Sequence, residues 1–233
     1  MIRKIAIVSK REVSDDLIKI LEDLGFEYTK SNPDAVISLG GDGTYLYSER
    51  KFPGIPKLLI RDSAVCKKCG TDMIEKVILE RLKTGDYTIE ENLKLDAIVK
   101  GRKFTCTNDF IIRNKLQTRA IRFRVRINEK DVNRVLIGDG VVISTPFGST
   151  GYFHSITGRS FKRGIGIAFN NLTKKVRHRI IDEDSRILVK VVRDHALFSC
   201  DNHPELVELG ENERVEIRKS REVARIIRFV QES

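Results

Sequence analysis

The fold of this chain is decided at residues 35–44, which read AVISLGGDGT. The apolar run 35–39 predicts a buried strand, and the glycines behind it predict a tight loop at the strand's carboxyl end. Glycine lets a phosphate approach main-chain amides that a Cβ would obstruct. Residues 45–50 have a helical pattern, and the amino end of such a helix adds a partial positive charge. The segment therefore predicts a phosphate-binding turn.

The carboxylate in this turn needs a separate explanation. Asp42 lies among Gly40, Gly41 and Gly43, and a carboxylate repels phosphate unless it serves a metal ion or accepts a proton. We interpret Asp42 as the catalytic residue and the three glycines as the place where phosphates approach. Thr44 has two interpretations, helix N-cap or phosphate contact, and the sequence leaves both open.

Residues 1–87 alternate between strand and helix patterns. Residues 5–8, 36–39 and 58–60 predict strands, Ser14 caps a helix that Gly25 ends, and Asp72 with Glu75 resembles a capping box. This order predicts a parallel, three-layer α/β domain. Ligands bind such sheets at the carboxyl ends of the strands, where the glycine turn lies.

From residue 88 to 218 the pattern changes to short strands and turns, which predicts a β-rich second domain. The predicted strands are 93–99, 103–107, 121–127, 132–137, 141–144, 166–169, 187–192, 196–200 and 215–217. A further apolar segment follows at 223–229.

A second motif occupies residues 139–152, which read DGVVISTPFGSTGY. It is a strand that leads into a loop rich in hydroxyls and glycine. Together with GGDGT at 40–44 it resembles the NAD kinase family, whose members carry GGDGT and, further along, a DG-x-x-x-STPTGST-x-Y stretch. Phe147 replaces the second threonine of that stretch here. GGDGT alone also occurs in diacylglycerol and sphingosine kinases, so the second motif selects the branch.

Other parts of the chain match the family less closely. Asn108-Asp109 stands where the family has an Asn-Glu pair, and the Asp109 side chain is one methylene shorter. Asp201 follows a strand where the family has Asp-Gly-Gln. Residues 61–70 depart from the family's glycine-containing loop.

The resemblance implies an activity and an architecture. The activity is transfer of phosphate from ATP or polyphosphate, with Mg²⁺ or another divalent cation, to the 2′-hydroxyl of the adenosine ribose of NAD, giving NADP. The architecture is a three-layer α/β N-terminal domain, to which residues 219–233 return, plus a β-sandwich-like second domain that binds NAD. The active site is expected in the cleft between the domains, with Asp42 as the base.

The resemblance also assigns the binding residues. Asn108 and Asp109 would hold the adenosine ribose and adenine, although a turn-forming pair is the alternative. Asp139 would meet the nicotinamide end, and Asp201 would contact the ligand or only close a turn. The remaining binding residues are Ser144, Thr145, Ser149, Thr150, Gly151, Tyr152 and Ser155; for the four hydroxyl residues up to Thr150, capping of the next helix is the alternative.

Two other functions stay open at this level. A lipid kinase of the same superfamily would share GGDGT but would not need residues 144–152. A non-catalytic nucleotide sensor or a nucleic-acid binder would not need Asp42.

The charge balance disfavours nucleic acid as a partner. The formal net charge is +10, but 43 basic and 33 acidic residues are interleaved without a domain-length basic stripe. The nearest approach to a patch is residues 119–126, where arginines alternate with apolar residues. Such a strand face is either solvated, attracts nucleotide or polyphosphate, or forms a subunit contact. We expect a homo-oligomer, either a dimer or a tetramer.

Composition predicts a cytoplasmic protein with reduced cysteines. No run of apolar residues is long enough to span a bilayer, and four cysteines do not make a disulfide scaffold in a chain this long. The four histidines show no metal-ligand spacing, so no protein metal site is predicted. Cys66 and Cys69 form a C-x-x-C that could be half of a zinc site, a redox pair or two ordinary thiols.

Overall fold

The computed structural model describes residues 2–60, 71–132 and 134–229, with the backbone alone at residues 71–75. The chain divides into two compact units. The first comprises Met1–Glu91 with Ala224–Ser233, and the second comprises Asn92–Val223. In the described part of the chain, no helix is long and apolar enough to cross a membrane.

The first unit is a parallel sheet with helices. Its elements are β1 Lys4–Ser9, α1 Asp15–Asp23, β2 Glu27–Tyr28, β3 Ala35–Leu39, α2 Asp42–Lys51, β4 Lys57–Ile60, α3 Thr71–Thr84, and parts of β5 Tyr87–Val99 and of the last strand, β17 Arg214–Phe229. The strand order is β17-β4-β3-β1-β2, and each of these neighbours pairs in parallel. The predicted α/β class is confirmed.

The core of this unit follows from the apolar periodicity of its elements. Leu17 and Leu21 of α1 pack with Ile37 of β3 and with Leu79 and Leu82 of α3. The Ser14 hydroxyl accepts the Leu17 N–H at 3.3 Å, so the predicted N-cap is confirmed. The chain leaves α1 through Gly25, whose φ of 83° is left-handed.

The second unit contains the remaining strands. They are β6 Arg102–Cys106, β7 Asp109–Asn114, β8 Ile121–Ile127, β9 Lys130–Asp131, β10 Leu136–Gly138, β11 Gly140–Ser144, β12 Ile165–Asn170, β13 Arg179–Ile181, β14 Ile187–Arg193, β15 Ala196–Cys200 and β16 Val207–Leu209. A 3₁₀ turn, Phe147–Thr150, and helix α4, Tyr152–Thr157, follow β11.

These strands form two sheets that share one hydrophobic core. In one sheet the order is β10-β8-β14-β17, with β5 pairing to β17 and β6 to β5; in the other it is β13-β12-β11-β7-β15-β16. Phe104 and Phe123 from the first sheet and Phe110 and Phe198 from the second belong to the same buried cluster. The predicted β-rich, sandwich-like class is confirmed.

Several boundaries differ from the sequence-based prediction. Helix α2 begins at Asp42, not Tyr45, and the two segments predicted at 215–217 and 223–229 belong to the single strand β17. Strand β7, at the centre of the second sheet, was not predicted because the Asn-Asp pair at its start was interpreted only as a binding pair or turn. The 61–70 loop with Cys66 and Cys69 lies outside the described residues, and the predicted capping by Asp72 and Glu75 depends on side chains that lie outside them too.

Candidate active site

The glycine turn of the first unit needs glycine at its first position. Gly40 has a φ of +146°, and a Cβ there would lie 2.4 Å from Oγ1 of Thr44. Its N–H donates to the carbonyl oxygen of Ile60 at 2.8 Å, which ties the turn to the end of β4. The turn is therefore fixed at the carboxyl ends of two neighbouring parallel strands.

Asp42 is the first residue of α2, and it is exposed. The N-cap is Gly41, whose carbonyl oxygen accepts the N–H groups of Thr44 at 2.9 Å and Tyr45 at 3.2 Å. Thr44 lies inside the helix and is buried, so its interpretation as N-cap is wrong. Because the cap has no side chain, the amino end of α2 stays open to an anion beside the Asp42 carboxylate.

A buried ion pair fixes α2 to the neighbouring strand. Glu49 of α2 and Lys57 of β4 are 3% and 0% exposed, and their side chains form a salt bridge. The other Glu49 oxygen accepts the N–H of Gly54 at 3.0 Å. These contacts hold the helix that carries Asp42 against β4.

In the second unit, a single carboxylate holds the segment that carries Asn108 and Asp109. The Asp201 oxygens accept the backbone N–H groups of Thr107 and Asn108 at 2.8 Å and of Asp109 at 3.0 Å. Asp201 directly follows β15, and its own backbone is left-handed, with a φ of 46°. The structure thus gives Asp201 a role in positioning this segment; its contact with ligand stays a prediction.

The 139–152 motif is fastened to the same segment. The Thr145 N–H donates to the Asn108 carbonyl at 2.9 Å, and the Thr145 hydroxyl donates to the Thr107 carbonyl at 2.6 Å. A Cβ at Gly148 would lie 2.3 Å from the Asn108 carbonyl oxygen. Glycine is therefore needed where the two loops cross, and Gly148, missing from our site prediction, was visible in the motif.

Some hydroxyl groups of the motif are buried and bonded within the protein, and one is exposed. Ser144 and Thr145 are fully buried, and the Ser149 hydroxyl lies within hydrogen-bond distance of the carbonyl oxygens of Pro146 at 2.7 Å and Phe161 at 3.0 Å. Thr150, by contrast, is exposed, and so is the neighbouring Gly151. The N-cap of α4 is Gly151, so none of the hydroxyls caps this helix. The Thr145 hydroxyl instead accepts the Gly148 N–H at 3.1 Å, at the start of the 3₁₀ turn.

Tyr152 and Ser155 lie on α4. The Tyr152 hydroxyl pairs with Nδ2 of Asn170 at 3.1 Å, and the exposed Ser155 donates to the Tyr152 carbonyl at 2.8 Å. Asn170 is the other participant that the sequence did not reveal, because no motif marks it.

Asp139 is not brought beside Asn108. It precedes β11, whereas Ser144 and Thr145 are at the other end of this strand, about 16 Å away at the usual rise per residue. The Asp139 Oδ2 atom accepts Nδ2 of Asn171 at 3.0 Å. A ligand that touches both Asp139 and Asn108 must therefore be extended.

Burial changes the ionisation of the carboxyl groups here. Asp109 has a pKa raised to about 7, first because it is buried and then because Asp201 is nearby. Burial also raises the pKa of Asp201, but its three amide donors and Lys94 oppose that rise. The negative charge of the pair therefore rests first on Asp201, and Asp109 keeps its proton as pH rises towards 7. Oδ1 of Asn108 is buried without a hydrogen-bond partner in the described part of the chain, which leaves an acceptor for a ligand.

Comparison with known proteins identifies the family. The model of the ATP-NAD kinase C-terminal domain matches residues 107–229, which span more than half of the chain. The NAD kinase of Sulfurisphaera tokodaii is 32% identical, over 94% of this chain and 90% of that protein. The chain belongs to the NAD kinase family.

Solved structures of NAD kinases share the fold. The yeast NADH kinase complexed with NADH has a TM-score of 0.84 at 14% identity, over 99% of this chain and 84% of that one. The NAD kinase from Archaeoglobus fulgidus in complex with ATP has a TM-score of 0.79 at 18% identity, over 97% and 94%.

The protein alone offers little to a metal ion. Among residues 2–60, 71–132 and 134–229, no three His, Cys, Asp or Glu side chains cluster to hold one. Asp42 is the carboxylate at the glycine turn, and Mg²⁺ is commonly held by one or two carboxylates together with substrate phosphates. In this NAD kinase family member, Asp42 and the phosphates of a bound donor could therefore hold a cation together.

Proposed function

We propose that this chain is an NAD kinase that transfers a phosphoryl group from ATP or polyphosphate to the 2′-hydroxyl of the adenosine ribose of NAD, giving NADP. The observation that carries the proposal is that both family motifs fold into loops whose conformation is fixed by hydrogen bonds. The glycine turn presents an exposed carboxylate at an open helix end, and the second motif is hydrogen-bonded to the Asn108-Asp109 segment.

In this proposal the first unit binds the donor. Gly40, Gly41 and Gly43 let the phosphates approach the amides at the start of α2, and Thr44 supports the turn from inside the helix. A divalent cation, Mg²⁺ in the simplest case, would offset the charge of the donor phosphates when bound.

The second unit binds NAD. Asn108 offers its unpaired Oδ1, Asp109 a carboxyl group that can be protonated, and Tyr152 a flat ring face. Thr150, Gly151 and Ser155 are exposed beside it, Asp139 takes the far end of the extended ligand, and Asp201 with Ser144, Thr145 and Ser149 holds the loops.

Asp42 acts on the proton. A ribose hydroxyl is a poor nucleophile while protonated, so the Asp42 carboxylate accepts the 2′-hydroxyl proton as the bond from oxygen to phosphorus forms. The remaining catalysis is positioning and charge neutralisation.

The test is a purified-protein assay with Mg²⁺, ATP and NAD, in which NADP is measured with an NADP-specific dehydrogenase. Label from ATP should appear on NAD and not on diacylglycerol or sphingosine. Labelling of lipid alone would replace this function with that of a lipid kinase.

A cytoplasmic location and a dimeric or tetrameric assembly are part of the proposal. Cell fractionation tests the location, and light scattering tests the assembly.

A further inference from the structure

One sheet of the second unit carries a row of cations on its solvent face. Arg124 of β8, Lys190 of β14 and Arg214 of β17 are directly opposite one another on three adjacent strands. Side chains in such positions have Cβ atoms only about 5 Å apart, and like charges there are destabilising. A row of this kind needs a reason other than stability of the fold.

The row is incompletely neutralised by the protein. In the described part of the chain, neither Arg124 nor Lys190 forms an ion pair or a side-chain hydrogen bond, although cations elsewhere in this unit do so repeatedly. Arg214 pairs with Glu216 at 3.1 Å on its own strand. The charge of the other two cations is therefore available to a ligand.

The row borders two adjoining grooves. One, of about 330 Å³, is lined by Arg124, Lys190 and Arg214; the next, of about 410 Å³, continues past Arg214 to Arg186 and Arg218. Arg126 and Leu188 line both. Together the linings hold six cations, namely Arg124, Arg126, Arg186, Lys190, Arg214 and Arg218, against three carboxylates, Glu129, Asp131 and Glu216.

We propose that this basic sheet face binds a linear oligophosphate, a chain of linked phosphates without a base. Arg and Lys are the side chains that bind phosphate oxygens, and cations in line across strands match charges in line along a chain. Among the described residues that line the two grooves none is aromatic, and these residues offer no ring on which a nucleobase could stack. A second copy of the chain is a poor occupant, because an isologous contact would place one basic row opposite another and the like charges would repel.

The test is a titration of the full chain with sodium tripolyphosphate, comparing two charge-matched double variants. Arg124→Gln with Lys190→Gln removes two cations of the row. Arg3→Gln with Lys19→Gln removes two exposed cations of the first unit and is the control. Because both variants lose the same net charge and keep the glycine turn, any difference between them isolates the basic sheet face.

We expect tripolyphosphate affinity to fall at least about tenfold in the Arg124/Lys190 variant and less than about twofold in the control, with binding by the parent weakening as salt rises. Thermal unfolding shows that both variants are folded, and the readout does not depend on NADP formation. Equal affinities in the two variants would overturn the proposal. So would a face-dependent preference for ATP over tripolyphosphate, or a parent dimer that the Arg124/Lys190 variant abolishes.

Discussion

Asp109 and Asp201 are two buried carboxyl groups whose ionisation is linked. Asp201 is stabilised as an anion by three amide donors, whereas the Asp109 carboxyl group accepts no hydrogen bond from the described residues. Asp109 is therefore the group whose pKa rises to about 7. The sequence identified both residues but not which of them carries the charge. Their burial and the amide donors to Asp201 depend on segments that are distant in the chain.

The raised pKa of Asp109 predicts a pH-dependent stability. The folded chain binds this proton more tightly than the unfolded chain does. The protonated Asp109 therefore contributes fully to the free energy of unfolding below about pH 4, and this contribution is lost as pH rises through 7. The free energy of unfolding in urea should fall by roughly 2–3 kcal/mol between pH 5 and 7.5, relative to Asp109→Asn. Identical pH dependence in the two proteins would contradict the buried, protonated Asp109.

Asp201→Asn should weaken NAD binding more than it slows turnover. The amide keeps one acceptor oxygen and loses the charge that orders three N–H groups, so KM for NAD should rise about tenfold with a smaller change in kcat. The control is Asp182→Asn, since Asp182 accepts one amide at 2.8 Å in an exposed turn. A KM equal to that of the parent would leave Asp201 without a positioning role.

At the scale of elements, local patterns predicted the outlines of strands but not their partners. The alternation of β8 is reproduced, with Ile121, Phe123 and Val125 buried and Arg122 and Arg124 exposed. The junction between Gly148 and Asn108 joins segments far apart in sequence, so the motif revealed the glycine but not what it touches.

Gly148→Ala should destabilise the fold. The added methyl would meet the Asn108 backbone, and overpacking of this kind costs about 1–3 kcal/mol. The matched change is Gly210→Ala, where the nearest atom to a new Cβ is the Glu213 carboxylate at 3.6 Å. Urea unfolding of both variants measures the difference, and equal stabilities would show that the loops can separate without cost.

At the scale of the whole molecule, the change from a 3.6-residue to a 2-residue apolar period indicated two kinds of architecture. The order of strands was beyond reach, because β17 pairs with β4 from the opposite end of the chain and no local pattern specifies that partner. The sandwich-like class and the binding roles of Asn108 and Asp139 came from resemblance to the family, and the roles stay predictions.

The most direct test of the central claim is turnover of NAD to NADP by the parent and by Asp42→Asn, measured against Mg²⁺ concentration. We expect kcat to fall about 10²-fold to 10⁴-fold at every concentration, because an amide cannot accept the 2′-hydroxyl proton. Asp15→Asn changes the equivalent exposed first residue of α1 and should retain full turnover. Recovery of Asp42→Asn at high Mg²⁺ would make Asp42 a metal ligand, and near-native turnover at ordinary Mg²⁺ concentration would contradict any catalytic role.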